Sequence, residues 1–271
     1  MKRRFAFSFF FILFFTLLFC GIFFFHVPKK LSAQKDFTNY LDQLFTDWVS
    51  SDSVTLHYHL AHPEKYGIKE LSPSLCNSYF SNAQDYQKEL HKLHTFSPKA
   101  LNKTQKKTYH ILEDYLSRQK KTAQFSLYER TFSPTTGLQA QLPVTFCEYP
   151  LRTQEDILTY FSLLKETPDY FAQLFKIEKA KAEKGLFLSD PILDQVISQM
   201  RAFLKEKSDN PMITTFTERI QHLPLSKKQK KYYAAQNKAI ILYTFLPAYK
   251  TLMEHLLSLK GHSVNDLGLC Y

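Results

Sequence analysis

The stretch SPTTGLQAQLPVTFCEYPLR, Ser133–Arg152, divides the chain into two helical groups. It holds one of the six glycines and three of the twelve prolines, and no helical apolar period runs through it. A breaker-rich, polar-aromatic segment between helices reads as an irregular crossover, the kind of place where a helical protein presents surface to a ligand. A plain connection that only carries the chain between layers is the competing reading.

On both sides the apolar residues return at steps of three and four. Before the crossover, Ala33–Val49 places Phe37, Tyr40, Leu41, Leu44, Phe45 and Trp48 on one stripe. A short helix capped by Asp52 or Ser53 follows and ends at Pro63, then a turn at HPEKYGI. Ser78–Leu93 gives another helix. Ser97-Pro98 opens one more, with Ser97 as cap, running through Tyr109, Leu112 and Leu116. After the crossover, Thr153 and Asp156 form a capping-box pair. Thr167-Pro168 restarts the helix, Gly185 stops it, and Asp190-Pro191 and Pro211 open two more. Ser226 with Gln229 opens the last, which bends near Pro247 and ends at Gly261. The fold expected is all-α.

Phe5–Phe25 carries no charged residue. As a helix it rises about 31 Å, which matches a bilayer's hydrocarbon core. Its length, and the lack of a small-residue cleavage site close behind it, favour an uncleaved signal anchor over a cleaved signal peptide. LLFC at Leu17–Cys20 is similar to a lipobox, although Phe19 is bulky before the cysteine; a lipoprotein stays an alternative. Lys2, Arg3 and Arg4 before the run keep the N-terminus cytoplasmic by the positive-inside rule, with Lys29 and Lys30 after it. The expected organisation is a transmembrane anchor at 1–26, a linker at 27–34 and a multi-helix extracytoplasmic domain at 35–271. Its partner is the lipid bilayer through residues 5–25, and its location the cell membrane as a single-pass protein.

The formal charge is +10, and those five flanking cations account for half of it. The remainder is an ordinary excess, with no zinc finger or aromatic RNA-binding motif, so nucleic acid is excluded as a partner. Lys103, Lys106, Lys107, Arg118, Lys120 and Lys121 lie along one helix. They read as a solvated face or as a patch for an anionic surface. Four cysteines, none at a CxxC spacing, argue against a zinc knuckle or a disulfide scaffold.

Catalytic spacing is missing. The sequence has no GxSxG, P-loop, GxGxxG or HExxH. His57, His59 and His62 read as surface or packing residues, because a two-residue step points to different helix faces. Glu254-His255 and His262 have the wrong spacing for a metal motif. Glu148 is a base only if it is buried beside a partner.

Three stretches together resemble a bacterial family, domain of unknown function 885. They are DSVTLHYHLAHPEKYGI (Asp52–Ile68), SPTTGLQAQLPVTFCEYPLRTQEDILTYFSLLKETPDYF (Ser133–Phe171) and KAEKGLFLSDPILDQVI (Lys181–Ile197), with LPAYKTLMEHL and GHSVNDLGL after them. The resemblance implies a mostly helical protein about twice this length, whose second half is similar to zinc metallopeptidases. This chain ends where that half would begin, so the resemblance implies zinc only with a complementary C-terminal half and none in this chain. It places Gln139, Gln141, Glu148, Tyr149 and Arg152 at a cleft between the halves and makes Cys147 a packing residue. The function expected is a membrane-anchored extracytoplasmic helical protein, truncated relative to the family and without hydrolase activity alone. The alternative is a stand-alone binding module for peptide or anionic cell-wall polymer. An enzyme whose site the sequence does not reveal is a third class.

Overall fold

A computed structural model describes residues 29–60, 62–68, 74–75 and 82–264. Among the described residues the elements are helices, with one isolated bridge between Leu186 and Ser263. No helix among them is long and apolar enough to cross a membrane. The apolar run Phe5–Phe25, read above as the anchor, lies outside the described residues. Residues 29–34, expected as a linker, are already helical. The chain divides into two compact units, and no composition shift marks the division.

In the first unit, described at 29–47 and 82–123, helix α1 (residues 29–49, ending in the second unit) joins α3 (Ala83–Leu93) and α4 (Lys103–Thr122). Phe37, Leu90, Leu93, Leu101, Tyr109 and Leu116 form its core. The Phe96 ring meets Phe37 edge-on at 5.3 Å. The sequence reading starts α4 at Ser97, but Pro98–Ala100 is a single 3-10 turn and Ser97 makes no side-chain cap. Asn102 is the cap instead, in a capping box with Gln105. Leu101 turns back to extended backbone and is buried, which separates the turn from the helix. Gln105 Nε2 also donates to the Gln34 carbonyl at 2.8 Å and to Thr38 Oγ1 at 3.0 Å, tying α4 to α1.

The second unit holds α2 (Ser53–His59), α5 (Leu138–Glu148), α6 (Gln154–Glu183), α7 (Asp190–Lys205), α8 (Pro211–Arg219), α9 (Lys227–Ile240) and α10 (Leu246–Leu257). The 30-residue α6 runs along its core and packs against α9, α10 and the turn between them. Tyr160 and Phe161 on α6 meet Phe216 of α8 at 5.3 and 5.6 Å. Phe245 and Tyr249 stack at 5.9 Å with Phe171 beside both.

Two expectations are corrected here, and both turn on proline. The Ser133–Arg152 stretch is not irregular throughout, because α5 occupies Leu138–Glu148 with Pro143 inside it. Thr167-Pro168 does not restart a helix, because α6 passes through it unbroken. A proline inside a helix leaves the carbonyl four residues earlier without its N–H donor. In α6 the Thr167 hydroxyl donates to that carbonyl, Leu164 O, at 2.7 Å. In α5 the orphan is Gln139 O, and the Tyr249 hydroxyl donates to it at 2.6 Å from α10. Pro247 is accommodated differently: one π-helical turn, Ile241–Phe245, precedes it, and helical backbone continues into α10.

Gly185 ends α6 with φ +69 in a Schellman arrangement, Leu186 N–H donating to Lys181 O and Gly185 N–H to Ala182 O. A β-carbon at Gly185 would come within 2.5 Å of Val264. Nearby, Lys181 and Glu178 form a buried ion pair at 2.6 Å. The ammonium also donates to Glu129 O and Thr131 Oγ1, so all its protons are placed.

Candidate functional site

The five residues expected at the cleft separate by burial. Gln139 is 3 % exposed and Tyr149 fully buried, so neither side chain is offered to a ligand. Gln141, Glu148 and Arg152 are exposed. Gln139 Nε2 donates to Ser133 O at 2.6 Å and to Gln199 Oε1 at 2.9 Å, which pins the start of α5 to α7. Gln141 and Glu148 stand seven apart on α5 and therefore share a face, with half-exposed Val144 between them.

The C-terminal end of α5 gathers side chains from three helices. The Arg219 guanidinium, at the end of α8, donates to the carbonyls of Cys147 and Tyr149. The last turn of a helix carries unpaired carbonyls and partial negative charge, which a cation satisfies. Tyr149 ends the helix and Pro150, which has no N–H to donate, follows. The Tyr58 hydroxyl, from α2, donates to Glu148 Oε2 at 3.3 Å. Beyond the turn, Asp156 Oδ2 accepts from the N–H groups of Arg152 and Thr153, both at 2.8 Å, and completes the capping box that starts α6.

The electrostatics follow from this packing. Burial pushes the half-buried Cys147 thiol up; the Thr215 hydrogen bond and the Arg219 charge pull it down, and Glu148 pushes it up again. The Tyr58 hydroxyl is raised by burial first, then by the charge and hydrogen bond of Glu148, against Arg219. A thiol held protonated is a poor nucleophile. Arg219 has two of its N–H donors, one on each terminal nitrogen, committed to carbonyls. The arrangement closes the C-terminal end of α5 and leaves Gln141, Glu148 and Arg152 exposed beside it.

The remaining candidates are placed as follows. His59 meets Trp48 edge-on at 4.9 Å, His62 is exposed, and His57 falls outside the described side chains. His255 stacks on Phe175 at 4.2 Å, Glu254 lies 3.6 Å from Lys250, and His262 is near the Leu259 carbonyl. Among the described residues no three His, Cys, Asp or Glu side chains are grouped to hold a metal ion. Sequence reasoning missed Tyr58, Gln199 and Arg219. Their partners lie 90, 60 and about 70 residues away, and no local pattern announces a contact of that separation.

A family model for a bacterial protein of unknown function (DUF885) matches residues 74–265. The Asp52–Ile68 stretch lies before that match. The crystal structure of a "putative lipoprotein" from Colwellia psychrerythraea superposes with a TM-score of 0.65 at 14 % identity, over 85 % of this chain. The chain spans 42 % of that protein's length. At that identity the likeness is one of fold. Comparison with curated proteins gives no match. A family model that runs through more than half of the sequence, joined to an all-helical fold shared with a solved bacterial structure, places this chain in the DUF885 family of bacterial proteins of unknown function.

Proposed function

We propose that this chain is a membrane-anchored, extracytoplasmic helical module that does not hydrolyse peptides by itself and docks a complementary half of the family fold. What supports the reading is the family match over residues 74–265 and the fold shared with the solved neighbour, of which this chain spans 42 %. The raised Cys147 thiol and the committed Arg219 guanidinium agree with a scaffold role at the end of α5. The test uses the full chain purified in detergent. Bound zinc is measured by elemental mass spectrometry, hydrolysis with a peptide library, and melting with and without the co-expressed complementary half. Neither zinc nor hydrolysis is expected, and the complementary half raises the melting temperature by mass action. Zinc with turnover in the isolated chain overturns the reading.

The anchor has two forms to separate. The apolar run Phe5–Phe25 favours an uncleaved helix. The LLFC sequence at Leu17–Cys20, with a neighbour described as a lipoprotein, favours acylation at Cys20. Intact-mass measurement distinguishes them, because processing removes the residues before Cys20 and adds acyl chains. The second functional reading, a binding module for peptide or anionic wall polymer, rests on the exposed face of Gln141, Val144 and Glu148. Glu148→Lys would then change binding of charged peptides, and unchanged binding removes that reading.

A further inference from the structure

We propose that the outward face of α4 lies against the headgroups of an anionic bilayer; this rests on the membrane-anchored reading above and deepens it. The buried side of α4 is set by Tyr109 and Leu116. The opposite side, at helical spacing, carries Lys103, Lys107, Ile111, Tyr115, Arg118 and Lys121, all exposed. Ile111 is 60 % and Tyr115 47 % exposed.

The charge on this face is lopsided. Helix α4 has six basic residues against Glu113 and Asp114. Glu113 is engaged by His94 at 3.0 Å and His110 at 3.3 Å, and Asp114 lies 2.9 Å from Arg118. What faces outward is therefore positive at both ends of the helix, with an aliphatic and an aromatic side chain in the middle. A charged polymer needs only the cations. A bilayer surface takes both, since lysines reach phosphates while Ile and Tyr enter the boundary between headgroup and acyl chain. Tyrosine is the residue type that favours this boundary. The same unit is next in sequence to the apolar run, which keeps α4 within reach of a bilayer holding that run. The lysines of α9, Lys227, Lys228, Lys230 and Lys231, are as dense but crowd into one helical turn, with the exposed Tyr232 beside them but no large exposed aliphatic side chain on the helix.

The test reconstitutes the full chain into discs of phosphatidylcholine alone or with phosphatidylglycerol, and labels amines with an acylating reagent read by peptide mass spectrometry. Labelling of Lys103, Lys107 and Lys121 is expected to fall by about fivefold in the anionic discs, the scale of attraction for one basic side chain at a charged surface. The protection disappears at about 1 M salt, where the screening length drops to about 3 Å. Lys227 and Lys228 serve as the internal reference and label equally in both discs. In the Ile111→Ser, Tyr115→Ser variant, whose side chains are exposed, protection weakens without loss of fold. Equal labelling of the α4 lysines in both discs overturns the proposal. So does protection of Lys227 and Lys228 instead, or equal protection by a soluble anionic polymer with neutral discs. Failure of the anchor is read separately, as loss of the chain from neutral discs. In that event the same labelling with added anionic vesicles still decides the α4 face.

Discussion

The hydroxyl of Tyr249 and the main-chain oxygen of Gln139 are 2.6 Å apart, and that oxygen is the one Pro143 deprives of its helical donor. A side chain 110 residues away thus completes the helix that the proline would open. Tyr249→Phe leaves a buried carbonyl unpaired and is expected to cost about 1–3 kcal/mol in urea unfolding. Pro143→Ala supplies an N–H to the same oxygen. In that background Tyr249→Phe should cost less than half as much; equal costs in both backgrounds would show that the two are independent.

Thr167 does the same work within α6. Its hydroxyl donates to Leu164 O beside Pro168. Thr167→Val keeps the shape and removes the donor, with an expected loss of about 1–2 kcal/mol. Hydrogen exchange should report faster opening of the turn around Leu164. Unchanged exchange there would mean that the carbonyl finds another donor.

Tyr160 is the opposite case. It is 1 % exposed, and its hydroxyl has no hydrogen-bond partner among the described residues. Tyr160→Phe is expected to stabilise the chain by about 1 kcal/mol, since it removes a desolvated polar group without emptying the ring's site. Burial holds this hydroxyl far above the ordinary phenol range. The folded state therefore binds the proton more tightly than the unfolded one. Stability does not depend on this group's titration below the unfolded pKa of about 10 and falls as pH rises from there through the folded value. The variant should show a shallower loss of stability above that pH. A steeper loss counts against this account.

Glu148 and Arg219 act on Cys147 with opposite signs. Glu148→Gln lowers the thiol pKa, and alkylation of Cys147 at mildly alkaline pH should quicken roughly two- to threefold, a modest factor because the carboxylate is exposed. Peptide mapping reads Cys147 alone. Slower alkylation would contradict the electrostatic assignment.

Lys181 and Glu178 are buried together at 2.6 Å. Lys181→Met strands a buried carboxylate and is expected to cost about 3–5 kcal/mol. Adding Glu178→Leu should recover most of this loss, short of the bonds to Glu129 O and Thr131 Oγ1. No recovery would mean that those two bonds, rather than the ion pair, hold the site.

The sequence by itself determined the helical class and several of the caps, though not the cap of α4, which is Asn102 rather than Ser97. Thr153 with Asp156, Ser226 with Gln229 and the stop at Gly185 are local signals, because the bonding partners lie within a few residues. The apolar period likewise selected Phe37, Tyr109 and Leu116, which the structure buries, although Phe45 and Trp48 on the stripe of Phe37 stay partly exposed. What the sequence could not decide was whether a proline breaks a helix. Pro143 and Pro168 look like breakers until a donor to the freed carbonyl is found; at Pro168 it is the adjacent Thr167, and at Pro143 it comes from another helix. The candidate site divides in the same way. Gln141, Glu148 and Arg152 were named by the family resemblance, and all three are exposed. The burial of Gln139 and Tyr149, and the arrival of Tyr58 and Arg219, depend on contacts between distant segments. Such contacts are fixed by packing and by the need to pair each buried carbonyl, and only the tertiary structure states which side chain does it.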